Sequence, residues 1–284
     1  MPAKIIDGKK IASRILTNLQ SSILNLKTKP KFAVIYVGSD KPSKTYIMRK
    51  REAAKKVGID FELRQYPTKI TNKQLTAELN KIQKDKTLSG LIIQLPIPKH
   101  LNTQKLLDCV KPGLDVDCLN SQHVETQNFA SLHILPPTPA AILKILKHLK
   151  VNLKKAKFTI VGMGKLVGEP LVEILRARDA DVLTCDKNTK DTKKRCLQAD
   201  VLITAVGKRN LITADMVKKG AIVIDAGASF YNHKMYGDVD FNAVSKKASR
   251  ITPVPGGVGP ITVAMLLKNV YETSRRNSNL QRIR

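Results

Sequence analysis

Residues 158–170 read FTIVGMGKLVGEP and give the strongest indication of how this 284-residue chain folds. An apolar, strand-like run ends at Gly162, a loop containing Gly164 follows, and an apolar, helix-like segment begins near Gly168. Glycines in such a loop let the backbone approach a pyrophosphate at the N-terminus of the helix. Because the spacing is GxGxxxG rather than GxGxxG, the motif taken alone is equally compatible with a tight strand-to-helix turn that binds nothing.

The sequence after this loop favours dinucleotide binding. A second strand ends at Asp186, 24 residues after Gly162, where dinucleotide-binding folds place an acid on the ribose 2'-hydroxyl. An aspartate in a surface turn is the alternative interpretation of that residue. Gly207 and the pair Gly227 and Ala228 then follow the next two strands, at the edge where such sheets bind ligands.

Strand-like and helix-like runs alternate along the whole chain, as in a mostly parallel sheet with helices on its faces. The predicted strands lie near residues 32–37, 61–65, 91–95, 158–161, 182–185, 201–205 and 221–225. Pro136, Pro137 and Pro139 precede a helical apolar pattern, so a helix is expected to start there and to link two domains, with the boundary within residues 118–140. We therefore predict an α/β protein of two domains, in line with about 100 to 200 residues per domain.

Composition is that of a globular protein, with 42% apolar and 26% charged residues. No apolar stretch approaches the roughly 18 residues of a membrane-spanning helix, and residues 1–16 lack the apolar core of a signal peptide. A cytoplasmic protein is therefore expected. The four cysteines form no CxxC pair and no zinc-ligand spacing with the five histidines, so buried thiols and no metal site are expected.

The net charge of +27 raises nucleic-acid binding as a hypothesis. The excess positive charge is distributed evenly along the chain, however, with +13 in residues 1–117 and +14 in residues 118–284. The chain also has no Trp and only 12 Tyr and Phe for stacking on bases. A basic, solvated surface that attracts acidic small molecules is the favoured interpretation, and nucleic acid is not an expected partner.

A second motif, VGSDKPSKTYIMRK, spans residues 37–50. Tyr46 and Lys50 are four residues apart on a predicted helix and therefore share a face. Lysine transfers protons near neutral pH when burial or neighbouring cations depress its pKa, and Arg49 and Arg51 are its sequence neighbours. The alternative for such a pair is a solvated helix face.

Three further segments carry polar groups or glycines at ends of predicted strands. In GLIIQLPIP, residues 90–98, Gln94 ends an apolar strand and must hydrogen-bond either backbone or a substrate. In DVD, residues 115–117, the Asp117 carboxylate suits two adjacent donors of an aminopyrimidinone ring, although a turn carboxylate is the alternative. TPVPGGVGPIT, residues 252–262, forms a rigid loop before an apolar final helix.

Together these motifs resemble the bifunctional methylenetetrahydrofolate dehydrogenase/methenyltetrahydrofolate cyclohydrolase family. The similarity extends from IIDG at residues 5–8 to Lys268 and includes IDAG and GDVDF in the family's order. The resemblance implies an α/β folate-binding catalytic domain, residues 1–120, completed by the C-terminal helix within residues 260–284. It also implies a Rossmann-like NAD(P)-binding domain of residues 121–259, a cleft between the domains that holds both ligands, and a homodimer.

The resemblance also implies roles for single residues. Lys50 is similar to the family's proton-transfer lysine, Tyr46 to the neighbour that packs on the folate, Gln94 to the amide that orients the lysine, and Asp117 to the pterin anchor. The implied substrate-binding set is Ser43, Tyr46, Asp117, Pro255, Gly256 and Gly257. The implied cofactor-binding set is Gly162, Met163, Gly164, Gly168, Asp186, Gly207, Gly227 and Ala228.

The implied reactions are oxidation of 5,10-methylenetetrahydrofolate by NAD(P) and hydrolysis of the 5,10-methenyl product to 10-formyltetrahydrofolate, in one-carbon metabolism. There are two alternatives. The chain could retain only one of the two activities, or it could be a basic RNA-contacting protein built on a degenerate dehydrogenase fold. Polyglutamylated folates are further candidate substrates, because a basic surface attracts their acidic tails.

The chain departs from the family pattern at several positions. Cys118 stands where the family has Gly, Pro137 where it has Cys, and residues 122–129 replace an N-x-G-x-L element. In the cofactor loop, Met163 replaces a frequent Arg and Gly164 a frequent Ser. The family default is NADP. Met163 with Asp186 favours NAD, whereas a 2'-phosphate is favoured by the nearby cations Lys187, Lys190, Lys193, Lys194 and Arg195.

Overall fold

The computed structural model describes residues 2–122, 134–232 and 234–282. The chain forms two compact units: unit 1 comprises Met1–Ala12 and Thr138–Thr262, and unit 2 comprises Ser13–Pro137 and Val263–Arg284. An α/β protein of two units agrees with the predicted fold class.

The strands and helices follow one another along the chain. The strands are β1 (Lys4–Ile5), β2 (Lys31–Val37), β3 (Asp60–Tyr66), β4 (Leu88–Ile93), β5 (Lys157–Val161), β6 (Asp181–Cys185), β7 (Val201–Thr204), β8 (Ile222–Asp225), β9 (Ser229–Tyr231), β10 (Lys234–Tyr236) and β11 (Arg250–Ile251). The helices are α1 (Gly8–Leu24), α2 (Lys41–Val57), α3 (Asn72–Ile82), α4 (Thr103–Asp108), α5 (Pro137–His148), α6 (Gly168–Arg176), α7 (Thr192–Gln198), α8 (Phe241–Val244) and α9 (Val258–Arg282).

Unit 1 is built on a six-stranded sheet in the order β1-β11-β8-β7-β5-β6, in which every pair is parallel. The central strands β5 and β7 are apolar and almost wholly buried, as expected of a parallel sheet covered on both faces. Because all strands run in one direction, their carboxyl ends share one edge of the sheet. An antiparallel hairpin of β9 and β10 follows β8.

The N-terminus joins a different unit from the predicted one. Residues 1–12 were expected in the catalytic domain, but β1 pairs with β11 in the sheet of unit 1, and Ile6 donates its N–H to the Ile251 carbonyl at 2.8 Å. A two-residue strand has no periodicity in the sequence, so only its backbone ladder decides the unit to which it belongs. The other bounds also differ, since unit 1 resumes at Thr138 and ends at Thr262.

Unit 2 contains a three-stranded parallel sheet in the order β3-β2-β4. Successive side chains of β2 point to opposite faces, and both faces are buried. Phe32, Val34 and Tyr36 belong to one apolar core, while Ala33, Ile35 and Val37 belong to the other. A parallel bridge between Leu91 and Asp115 brings the DVD motif alongside β4.

Among the described residues, no helix has the length and apolar character needed to cross a bilayer. In the same part of the chain no three histidine, cysteine or acidic side chains are grouped to hold a metal ion.

Candidate active site

Helix α2 of unit 2 carries three of the predicted site residues on neighbouring turns. Its first turn is fixed because the Asp40 carboxylate accepts the Ser43 N–H at 2.8 Å, and its end is fixed by Gly58 in the left-handed conformation, with φ of 86°. Ser43 is buried and its hydroxyl has no hydrogen-bond partner within the described part of the chain. Tyr46 and Lys50 follow at helical spacing, so the three side chains share a face of α2.

Lys50 is paired with Gln94, which follows directly after β4. The Lys50 ammonium donates to Gln94 Oε1 at 3.0 Å, and Gln94 Nε2 donates to the Leu95 carbonyl at 2.7 Å. The two contacts fix the orientation of the amide, since a flip would place its NH₂ group against the ammonium and its oxygen against a carbonyl. Gln94 itself is held in the sheet because its N–H donates to the Ile35 carbonyl at 2.8 Å.

Burial lowers the pKa of Lys50, and the negative charge of Asp117 opposes that shift. Burial likewise raises the pKa of Asp117, and the charge of Lys50 opposes it. Of the two causes considered, burial or neighbouring cations, burial is the one that lowers the pKa of Lys50, and Arg49 lies over the Tyr46 ring at 5.8 Å from its centroid. A lysine in this state exchanges a proton closer to neutral pH than an exposed one.

The loop that carries Asp117 is organised by Asp115, a buried residue that sequence reasoning passed over. Its carboxylate accepts the N–H groups of Asp117 at 3.2 Å, Leu119 at 2.7 Å and Asn120 at 2.8 Å. Between them, Cys118 adopts a φ of 57°, the left-handed region that favours glycine. The family's Gly at this position is therefore explained by the backbone, and the chain retains the same turn with a buried cysteine.

Asn269 on α9 is a second residue that the sequence did not single out. Its buried side chain donates from Nδ2 to the carbonyls of Val116 at 2.9 Å and Leu135 at 2.8 Å. The contact fixes the residue next to Asp117 and ties the last helix to unit 2. A polar residue on an otherwise apolar helix face was the available signal.

In unit 1, the glycine loop follows β5 as predicted. Gly162 has a φ of 100°, and a Cβ on Gly168 would lie 1.9 Å from the Gly162 carbonyl oxygen, so both positions exclude a side chain. A Cβ on Gly164 would meet nothing within 4 Å. Over the described ranges, the N–H groups of residues 163–165 find no acceptor in the chain, and they precede the N-terminus of α6, where an anion is favoured.

The other predicted cofactor residues lie at the same edge of the sheet. Gly207, Gly227 and Asp186 follow β7, β8 and β6 respectively. Asp186 is exposed, and its Oδ1 accepts the Asn188 N–H at 3.0 Å and the Thr189 hydroxyl at 2.8 Å, which lowers the pKa of that carboxyl. The N–H of Gly207 already donates to Asp238 at 2.8 Å, so this group is not available to a ligand.

The proline- and glycine-rich loop also belongs to unit 1. Gly256 has a φ of 111°, and Gly257 packs so closely that a Cβ on it would lie 2.6 Å from the Pro253 carbonyl oxygen. A Cβ on Gly8 would lie 1.7 Å from the Gly257 carbonyl oxygen, which explains the glycine of the IIDG motif. Part of the altered element at residues 122–129 lies outside the described residues, from position 123 onward.

A parallel sheet with a glycine loop in one unit, and a partly buried lysine of lowered pKa in the other, are the features of a dinucleotide-binding α/β enzyme. Residues 6–117 match the model of the tetrahydrofolate dehydrogenase/cyclohydrolase catalytic domain, and residues 136–278 match that of the NAD(P)-binding domain of the same family. The chain belongs to the tetrahydrofolate dehydrogenase/cyclohydrolase family, and the resemblance seen in the sequence is confirmed.

Individual relatives cover the chain almost completely. The bifunctional protein FolD of Nautilia profundicola is 43% identical over 275 residues, which are 95% of this chain and 97% of the relative. The crystal structure of the bifunctional FolD dehydrogenase/cyclohydrolase of Campylobacter jejuni is 36% identical with a TM-score of 0.92, and covers 96% of this chain and 99% of its own. The crystal structure of the Trypanosoma brucei dehydrogenase-cyclohydrolase (FolD), complexed with NADP cofactor and inhibitor, is 30% identical with a TM-score of 0.93, and the match covers 97% of this chain and 98% of that one.

Proposed function

We infer that the chain is a bifunctional enzyme, which oxidises 5,10-methylenetetrahydrofolate with NAD(P) and hydrolyses the 5,10-methenyl product to 10-formyltetrahydrofolate. The observation that carries this function is the Lys50–Gln94 pair. It gives a partly buried lysine with a lowered pKa an oriented partner, within the region that matches the family's catalytic domain.

In the dehydrogenase step, a bound nicotinamide would supply the acceptor for a hydride from the methylene carbon of the substrate. The chain's contribution is to hold the folate in a reactive position. We assign the pterin ring to Asp117, whose carboxylate suits two adjacent N–H donors, and the stacking surface to Tyr46. The buried hydroxyl of Ser43 supplies a further polar group on the same helix face, and residues 255–257 complete the proposed substrate set.

In the cyclohydrolase step, water adds to the electrophilic methenyl carbon. The neutral amine of Lys50 removes one proton from the attacking water, which leaves a hydroxyl on the carbon. The resulting ammonium returns that proton to N5 as the N5–carbon bond breaks, while the hydroxyl proton leaves to solvent and the formyl C=O forms. The lowered pKa of Lys50 makes its neutral amine more accessible than that of an exposed lysine. Gln94 stabilises the ammonium through its Oε1 and keeps the side chain aimed in one direction.

The residues of the glycine loop fit a dinucleotide. Gly164 leaves open space at a position where a side chain would meet nothing, and the N–H groups of residues 163–165 are available over the described ranges. These groups and the N-terminus of α6 would hold the pyrophosphate. Met163 and Gly168 shape the same loop, and Ala228 follows Gly227 at the neighbouring strand end.

We propose that Asp186 shifts the cofactor preference from the family default of NADP towards NAD. Its pKa is lowered, so it is ionised at neutral pH and repels a 2'-phosphate, and the loop provides no arginine at position 163. Two nearby cations are engaged elsewhere, since Lys193 pairs with Asp215 and Arg195 pairs with Asp191 at 2.9 Å.

We further propose a homodimer, as the sequence resemblance implies, that acts on tetrahydrofolate derivatives, with polyglutamylated forms favoured by the basic charge of the chain. Mass measurement in solution tests the dimer. A lower KM for polyglutamylated than for monoglutamylated substrate, with a difference that shrinks at high salt, tests the charge effect.

The activities are tested by mixing the protein with 5,10-methylenetetrahydrofolate and either NAD or NADP, following reduced cofactor and acid-stabilised methenyl product in parallel. Lys50→Met should abolish hydrolysis of added methenyl substrate. Lys44→Met is the matched control, because Lys44 is exposed on the same helix. Equal hydrolysis by wild type and Lys50→Met contradicts the assigned role.

The cofactor preference for NAD over NADP is tested by Asp186→Ser, which should raise the ratio of kcat/KM with NADP to kcat/KM with NAD by about tenfold. Asp181→Ser, at the opposite end of β6, removes the same charge from an exposed position and should leave the ratio unchanged. A ratio that moves equally in both variants would assign the effect to net charge.

A further inference from the structure

Asp238, in the GDVDF motif, is a fully buried carboxylate whose contacts all lie at the end of one strand. Its Oδ2 accepts the Thr204 hydroxyl and the Val206 N–H, both at 2.7 Å. Its Oδ1 accepts the N–H groups of Gly207 at 2.8 Å and Lys208 at 2.7 Å. Four donors from β7 and the turn after it therefore converge on one side chain.

Three of those donors are successive backbone N–H groups, which form an anion-binding concavity of the kind that elsewhere holds phosphates. Gly207 provides the positive φ of 81° that the concavity requires. Here the anion is the chain's own carboxylate, so the turn is already ordered before any ligand arrives.

A second buried carboxylate fixes the backbone that carries Asp238. Asp225, at the end of β8, accepts the N–H groups of Gly227 and Val239, each at 2.9 Å. Glycine is required on both sides of the pair. A Cβ on Gly227 would lie 2.1 Å from Asp238 Oδ1, and one on Gly237 would lie 2.0 Å from Asp225 Oδ2.

The turn of residues 206–208 borders the glycine loop. A Cβ on Gly162 would lie 2.7 Å from the Ala205 carbonyl oxygen and 2.8 Å from the Val206 side chain, which is 46% exposed. The turn is therefore packed directly against the loop that is proposed to hold the pyrophosphate. The turn lies at the carboxyl edge of the parallel sheet, where dinucleotides bind in this class of fold.

We infer that Asp238 is a positioning residue for the dinucleotide, which acts by filling the N–H concavity of residues 206–208 and holding this turn in its binding conformation. The inference rests on the proposed dinucleotide binding. It also assigns Gly207 and Gly227 a different role from direct cofactor contact, because both glycines serve the carboxylate.

The variant Asp238→Asn tests this role. The substituted amide places an NH₂ group against N–H donors, so the turn loses acceptors and must rearrange. We expect the Kd of NAD and of NADP, and the dehydrogenase KM for the preferred one, to rise at least about tenfold. The kcat and folate KM of cofactor-free hydrolysis should stay at wild-type values, which a general loss of folding would not allow.

Thr204→Val is the matched control, because it removes one donor of the four and leaves the backbone concavity filled. It should change the Kd less than about threefold. An unchanged Kd in folded Asp238→Asn overturns the inference, whereas failure of the wild type to bind either dinucleotide overturns the proposed function instead.

Hydrogen exchange of the wild-type amides of residues 206–208 decides the matter even if the variant does not fold. Protection in the cofactor-free protein, with no further protection on adding NAD or NADP, is expected because Asp238 already accepts these N–H groups. Free exchange without cofactor and protection only with it would show a concavity that is filled by the ligand, and would refute the inference.

Discussion

The Lys50–Gln94 contact allows a prediction in which two substitutions at one position act in opposite directions. Gln94 Oε1 lies 3.0 Å from the Lys50 ammonium and is the acceptor that stabilises its charged form. Gln94→Glu replaces this neutral acceptor with a carboxylate and should raise the pKa of Lys50. Gln94→Met keeps a similar length but removes the acceptor, so it should lower that pKa further.

The size of each shift follows from the contact. An opposite charge at this distance moves a pKa by about 1 to 3 units, which corresponds to roughly 1.4 to 4 kcal/mol. Loss of a hydrogen bond to a charged group, worth about 1.5 to 3 kcal/mol, corresponds to a downward shift of about 1 to 2 units. Since the neutral amine is the proposed base, the rising limb of hydrolysis against pH should move to higher pH in Gln94→Glu and to lower pH in Gln94→Met.

The assay is the initial rate of methenyl hydrolysis against pH at constant ionic strength, corrected for the uncatalysed reaction. At a pH below the limb, Gln94→Glu should be about 10- to 1000-fold slower than wild type, and activity should recover as pH rises. Gln94→Met should have a reduced plateau, because the lysine is no longer held in one direction. Gln20→Glu, an exposed position on α1, controls for the change in net charge. Limbs that stay at the wild-type pH, or that move in the same direction, would refute Lys50 as the titrating base.

Three further predictions concern stability. Asn269→Leu leaves the buried carbonyl of Val116 and the partly buried carbonyl of Leu135 without this donor, so urea unfolding should show a loss of about 1 to 3 kcal/mol, and an unchanged free energy of unfolding would contradict the contact. At position 118 the left-handed backbone should make Cys118→Gly more stable than Cys118→Ala by about 1 kcal/mol in the same assay, whereas a more stable alanine variant would exclude strain there. Burial raises the pKa of Asp225 from 3.8 to about 6, so the native state binds more protons than the unfolded state between these pH values. The free energy of unfolding of the wild type, minus that of Asp225→Asn, should therefore fall by up to about 3 kcal/mol as pH rises through this window. A difference that does not change with pH would contradict the shift.

The strands that form the centres of both sheets could be predicted from the sequence because their patterns are local. Buried parallel strands such as β2 and β5 are mostly apolar runs bounded by glycine or polar residues, and each of the seven predicted ranges overlaps an observed strand, from β2 to β8. The short pairing of β1 with β11 could not be predicted, since two residues carry no period and the partner lies far along the chain.

In the candidate site, too, the residues with a local sequence pattern could be predicted, and those that depend on tertiary contacts could not. Tyr46 and Lys50 could be placed together because helical spacing relates them, and Gln94 was selected because an amide at a strand end must find a partner. Asp115 and Asp238 were part of quoted motifs, but their partners are backbone N–H groups whose convergence depends on the folded turns. Burial of Lys50, rather than its arginine neighbours, sets the direction of its pKa, and burial is a tertiary property.

Burial produces opposite chemistry in the two units because the number of partners differs. The Lys50 ammonium is partly buried beside a neutral amide acceptor at 3.0 Å, and desolvation lowers its pKa although the charge of Asp117 opposes the shift, so its proton is released more readily than that of an exposed lysine. The Asp238 carboxylate is buried with four donors, each within 2.8 Å, and such a group is held in one position as part of the structure. The contrast separates a reactive buried charge from a structural one. It also implies that a stronger acceptor beside Lys50 should suppress proton transfer. Replacing an acceptor oxygen of Asp238 should instead make the turn of residues 206–208 less ordered without changing hydrolysis.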